Sequence, residues 1–171
     1  MIKFTPYKEQ DIENRVKWLN NPNVSKFVGE VLGQKTSLKK EQKWFAEYKL
    51  ANDKKCFVVN YNNQPVGFVG LSNISRQNKN ADLHVVIGED KYRGKGIGRK
   101  AVKWIVDYGF NKLKLHKINL GVVEQNEVAI KLYKSLGFEI EGKMKDEVFY
   151  NGKFYDFLSM AIFKDHITRS S

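Results

Sequence analysis

A glycine-rich segment flanked by cations is the first feature of this sequence that could do chemistry. The segment 93–98, Arg-Gly-Lys-Gly-Ile-Gly, follows a β-rich run and leads into an amphipathic helical pattern. A helix N-terminus offers N–H groups without intrahelical acceptors and the positive end of the helix dipole, and glycines let the backbone approach an anion closely. The cations nearby are Lys91, Arg93, Lys95, Arg99, Lys100 and Lys103. Together these features predict a binding site for phosphate.

The glycine spacing discriminates among three phosphate-binding motifs. A P-loop requires G-x-x-x-x-G-K-[ST], but Gly88 lies one residue too far from Gly94, and Gly96 occupies the position of the hydroxyl residue. A dinucleotide fingerprint requires G-x-G-x-x-G, and its third glycine position, counted from Gly94, holds Arg99. These two motifs are therefore excluded.

The third motif fits, and a second signature follows it. Arg93, Gly96 and Gly98 match the [QR]-x-x-G-x-[GA] pyrophosphate loop of the GNAT acetyltransferases. Residues 126–138 resemble that family's other signature, N-x-x-A-x-x-x-Y-x-x-x-G-F. Two motifs in this order, separated by one helix and one strand, resemble the family strongly.

The resemblance covers about residues 57–164. It is closest to the branch that holds ribosomal-protein N-terminal acetyltransferases and spermidine acetyltransferases. Residues 149–156 resemble the closing hairpin of that branch, and residues 18–24 resemble a segment near its start.

The resemblance implies that acetyl-CoA is the acetyl donor and that no metal takes part. The strand before the glycine loop would bind the pantetheine arm through main-chain groups, and the loop would bind the pyrophosphate. The implied cofactor-binding residues are Val85, Val86, Ile87, Arg93, Gly94, Lys95, Gly96, Ile97, Gly98, Arg99 and Asn126. Lys95, Arg99 or Lys100 could also reach the ribose phosphate, a choice that the sequence leaves open.

Attack of a neutral amine on a thioester creates an oxyanion and then expels a thiolate. The catalyst must hold both reactants, stabilise the oxyanion and protonate the sulfur. Tyr133 matches the family tyrosine that commonly donates this proton, and a phenol with a pKa of about 10 is protonated at neutral pH. The alternative is a core aromatic residue on an amphipathic helix. A main-chain N–H within residues 85–87 is implied as the oxyanion donor.

The general base is implied by position alone. Asp82 lies on the strand where relatives often carry a carboxylate, and it would deprotonate the incoming ammonium through water. The alternative is a solvated acid at the start of a strand. His84 lies on the same face of this strand and either assists or has a structural role.

These residues need a scaffold, which the hydrophobic pattern predicts. Strands are predicted at residues 2–5, 56–59, 66–71, 82–87, 117–123, 147–150 and 154–163. Helices are predicted at residues 11–19, 37–52, 97–108 and 126–136, with Asp11, Ser37 and Asn126 as N-caps. We therefore expect an α/β (α+β) GNAT fold, with a mixed central sheet of about six or seven strands, mostly antiparallel, flanked by about four helices.

Length and composition set the outer limits. The 171 residues suit a single domain spanning 1–171. Cys56 is the only cysteine, no apolar run reaches the roughly 18 residues of a membrane span, and the N-terminus lacks a signal-peptide pattern. We therefore expect a cytoplasmic protein without a membrane partner.

The net charge of +11, from 30 basic and 19 acidic residues, favours anionic partners. A basic nucleic-acid-binding module is the non-enzymatic alternative. It is disfavoured because the sequence has no RNA-recognition, zinc-finger or helix-turn-helix pattern. A homo-oligomer is possible.

The acceptor is left open among a protein N-terminus, an amino sugar or sugar-nucleotide amine, and, as the alternative, spermidine or another polyamine. A polyamine pocket needs carboxylates, whereas the strand at 66–74 carries Gly70 and Asn73 where spermidine acetyltransferases tend to have acids. Glu30, Glu41 and Glu47 could still form a local acidic patch. A positive protein repels a polycation, so we favour a peptide N-terminus or another small amine.

Overall fold

The computed structural model describes residues 1–28 and 32–165. Its strands are β1 Ile2–Pro6, β2 Lys55–Tyr61, β3 Gln64–Ser75, β4 Asn80–Ile87, β5 Lys117–Val123, β6 Glu139–Tyr150 and β7 Lys153–Phe163. Its α-helices are α1 Ile12–Leu19, α2 Pro22–Ser25, α3 Leu38–Leu50, α4 Ile97–Asn111 and α5 Glu127–Ser135. Short 3-10 turns precede α1 at Glu9–Asp11 and α4 at Asp90–Tyr92.

All seven strands form one sheet, in the order β1-β2-β3-β4-β5-β7-β6. Neighbouring strands are antiparallel except β4 and β5, which are parallel. The predicted fold class is therefore confirmed, including the meander of β2, β3 and β4. The helix beyond the expected four is the four-residue α2.

The parallel strands β4 and β5 separate soon after they meet. Their ladder contains three residue pairs and ends where Asp82 faces Asn119. β4 continues to Ile87 and β5 to Val123 with no further pairing between them in the described sheet. The main chain of β4 on this side has no strand partner, so its polar groups can bind a ligand in the gap.

Helices cover both faces of the sheet. Successive residues of β2 point to opposite faces, so Val59 joins one hydrophobic cluster while Val58 joins the other. The first cluster includes the buried stripe of α4, with Ile97 and Ile105. The second surrounds Trp18 of α1, which is fully buried. The open end of the β4–β5 gap is therefore bordered by α4 on one face and by α1 and α3 on the other.

Local signals explain most helix ends. The Ser37 hydroxyl accepts a hydrogen bond from Lys40 N, and the Asn126 side chain accepts one from Ala129 N, so both predicted caps are confirmed. Asp11 precedes α1, but its carboxylate accepts a hydrogen bond from Lys8 N in the preceding turn instead of capping α1.

Two elements differ from the expectation. The segment after residue 21 was expected to be a breaker and loop, but it begins with the short helix α2. Pro22 occupies the first turn of this helix, and the Asn21 side chain accepts a hydrogen bond from Asn23 N. β6 begins at Glu139, eight residues before the predicted Glu147. Most of β6 is exposed and its pairing with β7 has two register shifts, so no regular apolar alternation marks its first part.

Candidate active site

The glycine loop adopts a backbone that favours glycine and leaves space in front of it. Gly94 has a φ of +70° and Gly96 a φ of +73°, the left-handed region that side chains disfavour. A Cβ added at either position would meet no atom within 4 Å. Gly96 is the N-cap of α4, so the unpaired N–H groups of the first helical turn lie next to this space. The loop can therefore bind an anion.

Arg93 holds this loop in place. Its Nε donates to the Ile87 carbonyl at 3.3 Å, its Nη1 donates to the Asn23 carbonyl at 3.0 Å, and it forms an ion pair with Asp90 at 3.3 Å. Hydrogen bonds from the Asn21 and Asn23 amides, more than the Arg93 charge, lower the pKa of Asp90. The glycine loop, the end of β4 and the start of α2 are thus tied together.

Arg99 connects the two helices beside the β4–β5 gap. Its Nη1 donates a short hydrogen bond to the Ser135 hydroxyl, and its Nη2 donates to the Ser135 carbonyl at 3.3 Å. A cation at the last turn of a helix is favourable because the dipole is negative there. Arg99 therefore positions α5, which carries Tyr133, against α4.

The larger cavity, which we call the loop cavity, lies between the glycine loop, the end of β4, and the starts of α2 and α5. Its volume is about 710 Å³. Ten of the eleven predicted cofactor-binding residues line it: Val85, Val86, Ile87, Arg93, Gly94, Gly96, Ile97, Gly98, Arg99 and Asn126. The exception is Lys95, whose Nζ lies 5.5 Å from the centre of the Tyr92 ring.

Several lining residues of the loop cavity were not predicted as site residues. They are Asn23, Val24, Lys26, Phe27, Val28, Tyr92, Gln125, Glu127, Val128 and Leu132. Asn23 and Val24 belong to the segment 18–24, and Glu127, Val128 and Leu132 belong to the signature 126–138, so the resemblance to the family was the signal for these five. Residues 23–28 reach the cavity through hydrogen bonds that span about 70 positions of the chain, and spacing cannot reveal these.

The loop cavity suits a ligand with a diphosphate and an extended polar chain. Anion-binding N–H groups lie at the start of α4, and the unpaired main-chain edge of β4 lies beside them. Nothing comparable suits a metal ion, because no group of three or more His, Cys, Asp or Glu residues within 1–28 and 32–165 is placed to hold one.

A smaller cavity of about 430 Å³, which we call the aromatic cavity, adjoins the first. It lies between α1, α3, β3 and β4, and it shares Val28, Val85 and Val86 with the loop cavity. Two ligands bound in these cavities would meet at the three valines.

A buried ion pair lies in the wall of the aromatic cavity. The Arg15 guanidinium lies between two rings, 4.0 Å from the centre of Trp44 and 4.3 Å from that of Phe68. Its Nε is 2.7 Å from Glu41 Oε2, and the Thr36 hydroxyl donates to Glu41 Oε1 at 2.6 Å. Among the predicted acidic patch, Glu41 is therefore already paired, Glu47 is exposed and lines neither cavity, and Glu30 lies outside the described residues.

His84 lines the aromatic cavity, whereas Asp82 does not. The His84 ring lies against Gly70, where an added Cβ would be 2.5 Å from Nε2. Burial, and secondarily the Arg15 charge, lower the pKa of His84 to about 4. The imidazole is therefore neutral at physiological pH.

Asp82 lies at the apex of the β4–β5 gap. Its Oδ2 accepts a hydrogen bond from the Asn73 amide at 2.7 Å and its Oδ1 accepts one from the Asn119 amide at 3.4 Å. The first contact holds a β3 irregularity at which Asn73 has a φ of +51°. The structure thus gives Asp82 a local structural role, and its role as general base stays a prediction.

Tyr133 is buried in the core, with 9% of its surface exposed, and its ring centre lies 5.7 Å from that of Phe138. It lines neither cavity, although the adjacent Leu132 lines the loop cavity. Burial raises the pKa of Tyr133 to about 12, so the phenol is protonated at neutral pH. The proton-donor role remains a prediction.

Two further observations limit other chemistry. Burial raises the pKa of Cys56 to about 12, which keeps this thiol protonated and unreactive. No described helix combines the length and the apolar character that crossing a membrane requires.

Comparison with known proteins identifies the family. Residues 2–139 match the family model described as an acetyltransferase (GNAT) domain. The chain is also 38% identical over 108 residues to the spermidine N(1)-acetyltransferase of Escherichia coli K12, which is 63% of this chain and 58% of that protein. The match thus spans somewhat less than two thirds of the relative's length.

Solved structures share the fold over nearly the whole chain. The spermidine N-acetyltransferase from Vibrio cholerae in complex with CoA and spermine has a TM-score of 0.87 at 26% identity, covering 96% of each chain. A dodecameric structure of the spermidine N-acetyltransferase from the same organism has a TM-score of 0.86 at 26% identity, covering 99% of this chain and 98% of that one.

Proposed function

We propose, from the premise that this chain belongs to the GNAT acetyltransferase family, that it transfers the acetyl group of acetyl-CoA to a primary amine. The observation that carries the proposal is the position of the glycine-started helix α4 beside the unpaired edge of β4. This arrangement offers an anion site and a main-chain edge within one cavity, as a diphosphate-containing thioester requires.

The donor is assigned to the loop cavity. When bound, acetyl-CoA supplies a thioester whose acetyl group can be transferred. Residues 94–98 hold its diphosphate through N–H groups, Val85–Ile87 hold the pantetheine arm, and a main-chain N–H of this strand polarises the acetyl carbonyl. Asn126 lines the same cavity and caps α5.

Proton transfer is assigned to two residues. Tyr133 donates the proton that the departing sulfur needs, and its raised pKa keeps that proton in place at neutral pH. Asp82 accepts the proton of the incoming ammonium through water, and the second proton that the nitrogen loses as the amide forms restores the Tyr133 phenol. Both reactants are held at once, so transfer is direct in a ternary complex.

The relatives favour a polyamine acceptor. The curated relative and the structural neighbours named above are spermidine acetyltransferases, and one of them holds spermine together with CoA. This similarity supports the alternative acceptor of the sequence analysis better than a protein N-terminus or an amino sugar. Spermidine is therefore the first amine to test.

A second acceptor class is favoured by the charges around the aromatic cavity. Four lysines line it without an ion-pair partner in the described part of the chain, whereas its one described carboxylate is paired with Arg15. This lining suits an amine that carries an anionic group, such as a phosphorylated amino sugar or a sugar nucleotide, rather than a polycation.

A thiol-release assay tests the proposed reaction. The purified chain is mixed with acetyl-CoA and, in separate reactions, spermidine, spermine, amino sugars and short peptides, and free thiol is measured over time. We expect amine-dependent release with at least one small amine. Absence of CoA binding at low salt, or release that no amine accelerates, would contradict the proposal.

Self-association is a further part of the proposal. The β6–β7 hairpin forms one edge of the sheet and exposes a contacting pair of rings, Phe149 and Phe154, with centres 4.9 Å apart. An exposed apolar pair on an edge hairpin suits contact with a second copy. Sedimentation velocity of the wild type and of a Phe149→Ser/Phe154→Ser variant tests this, and an unchanged monomer in both would contradict it.

A further inference from the structure

The described wall of the aromatic cavity is strongly positive. Its charged lining residues are Arg15, Lys35, Lys40, Lys54, Lys55 and Glu41. These residues come from α1, from the segment before α3, from α3 itself, and from residues 54–55 where β2 begins. Cations from four parts of the chain therefore converge on one cavity.

Glu41 does not offset this surplus for a ligand. Only 5% of its surface is exposed, and each carboxylate oxygen is engaged, one by Arg15 and the other by the Thr36 hydroxyl. A carboxylate that is buried and paired in this way neutralises its own arginine. An ammonium ligand in the cavity would thus lack a free carboxylate among the described lining residues.

The four lysines of the cavity have no carboxylate partner among the described residues. None of Lys35, Lys40, Lys54 and Lys55 forms an ion pair with a carboxylate in the described part of the chain. Lys35 and Lys40 are exposed at the rim, and Lys54 and Lys55 are half-buried. Flexible ammonium groups of this kind can close on an anion that enters the cavity.

The inner wall of the aromatic cavity has one unused hydrogen-bond donor. Arg15 Nη1 is buried without a hydrogen-bond partner among the described residues. The charge of Arg15 also adds to burial in lowering the pKa of His84, the other basic side chain of this wall. Close to β4, where the acceptor approaches the donor, an ammonium group would therefore meet this guanidinium donor and no free carboxylate among the described lining residues.

We infer that the acetyl acceptor is an amine that also carries an anionic group, a phosphate or a carboxylate, which binds the lysines of the aromatic cavity. This inference rests on the proposed acetyl transfer and names the class of its acceptor. The amine lies toward Val85 and Val86, which the two cavities share, and the anionic group lies toward Lys40 and Lys54.

Matched pairs of amines test the inference. Ethanolamine is compared with its O-phosphate, glucosamine with its 6-phosphate, and ethanolamine with β-alanine, each at saturating acetyl-CoA and next to spermidine. We expect kcat/KM to be at least ~10-fold higher for the anionic member of a pair, and this preference to shrink as salt is raised. Comparing the phosphorylated amines with β-alanine shows whether a phosphate or a carboxylate is preferred.

Two lysines of α3 provide a matched variant and control. Lys40 lines the cavity, whereas Lys43, also exposed on this helix, does not, and Lys→Glu changes the net charge equally at both. Lys40→Glu should reduce the preference for the phosphorylated amine by about 5-fold, while Lys43→Glu should change it by less than about 2-fold.

Other outcomes would overturn the inference. A higher kcat/KM for spermidine than for every anionic amine would do so, and so would equal values within each pair. If CoA binds but no amine reacts, the affinities of the same pairs of amines for the CoA complex are measured by calorimetry. The inference is overturned if the anionic member of each pair does not bind, or binds no more tightly than the neutral member. Failure of the proposed acetyl transfer itself is distinct, because then either CoA does not bind or no amine of any class accelerates thiol release.

Discussion

Arg99 at the start of α4 is hydrogen-bonded to both the hydroxyl and the carbonyl of Ser135 at the end of α5. The helix that begins at the anion site is thus fixed to the helix that carries the phenol assigned to proton donation. Because one guanidinium makes both hydrogen bonds, substitution of Arg99 alone removes the two contacts together.

We predict that Arg99→Gln loosens α5 and lowers the stability of the protein. Loss of a charged hydrogen-bonding group at an exposed position should cost about 1 kcal/mol, or roughly 3 °C in Tm for a chain of this size. The measurement is thermal unfolding, with Ser135→Ala as the control that keeps the carbonyl contact. If Arg99→Gln lowers CoA affinity strongly and leaves Tm unchanged, Arg99 binds the cofactor directly instead.

Gly96→Val should abolish CoA binding because its side chain would occupy the space in front of the loop. Gly152, in the β6–β7 turn, is the matched control: its φ is +76° and an added Cβ there also meets no atom within 4 Å. Both variants should lose about 1–2 kcal/mol to backbone strain. Only Gly96→Val should lose the rise in Tm that CoA causes, and a retained rise in this variant would refute the placement of the phosphate.

Tyr133→Phe should lower kcat by about 100-fold while leaving CoA affinity nearly unchanged. The reason is that the phenol, whose pKa burial raises to about 12, is protonated and can serve as the acid for sulfur. Tyr108→Phe, a half-buried tyrosine on α4 that lines neither cavity, is the control. Equal turnover of Tyr133→Phe and the wild type would remove the acid role and leave Tyr133 as a core residue.

His84 should make the protein sensitive to acid. Its pKa is about 4 in the folded protein, against 6.5 for an ordinary histidine, so between these values the unfolded chain binds more protons than the folded one. The free energy of unfolding therefore falls as the pH decreases from 6.5 to 4. We expect His84→Gln to flatten the decline of Tm over this range.

His116→Gln, at an exposed position that lines neither cavity, is the control substitution and should leave the decline of Tm as in the wild type. If Tm falls with decreasing pH as steeply in His84→Gln as in the wild type, the His84 ring is hydrated and the aromatic cavity is less positive than its lining indicates.

Features with local signals could be predicted from the sequence. The bounds of β5 were predicted at residues 117–123, where an apolar run is flanked by polar turns. Ser37 and Asn126 were predicted as caps because an N-cap acts within three residues of itself. The glycine loop was predicted for the same reason, since its φ angles and the helix it starts are properties of neighbouring residues.

Features that depend on contacts between distant parts of the chain could not be predicted from the sequence. Lys26 and Phe27 line the loop cavity because Asn21 and Asn23 bind Asp90, and nothing in the spacing of these residues reveals that contact. The start of β6 was missed because neither face of its first half is regularly buried. The motif that identified Tyr133 likewise did not predict that its side chain is buried in the core and lines neither cavity.

The three valines that the two cavities share have one further consequence. Val28, Val85 and Val86 offer no polar side-chain atom that could hold or activate a water molecule at the place where donor and acceptor would meet. The polar groups that these three residues offer to a thioester lying there belong to the main chain, and in β4 they are the groups assigned to holding the donor. We therefore expect thiol release from acetyl-CoA to be slow when no amine is present.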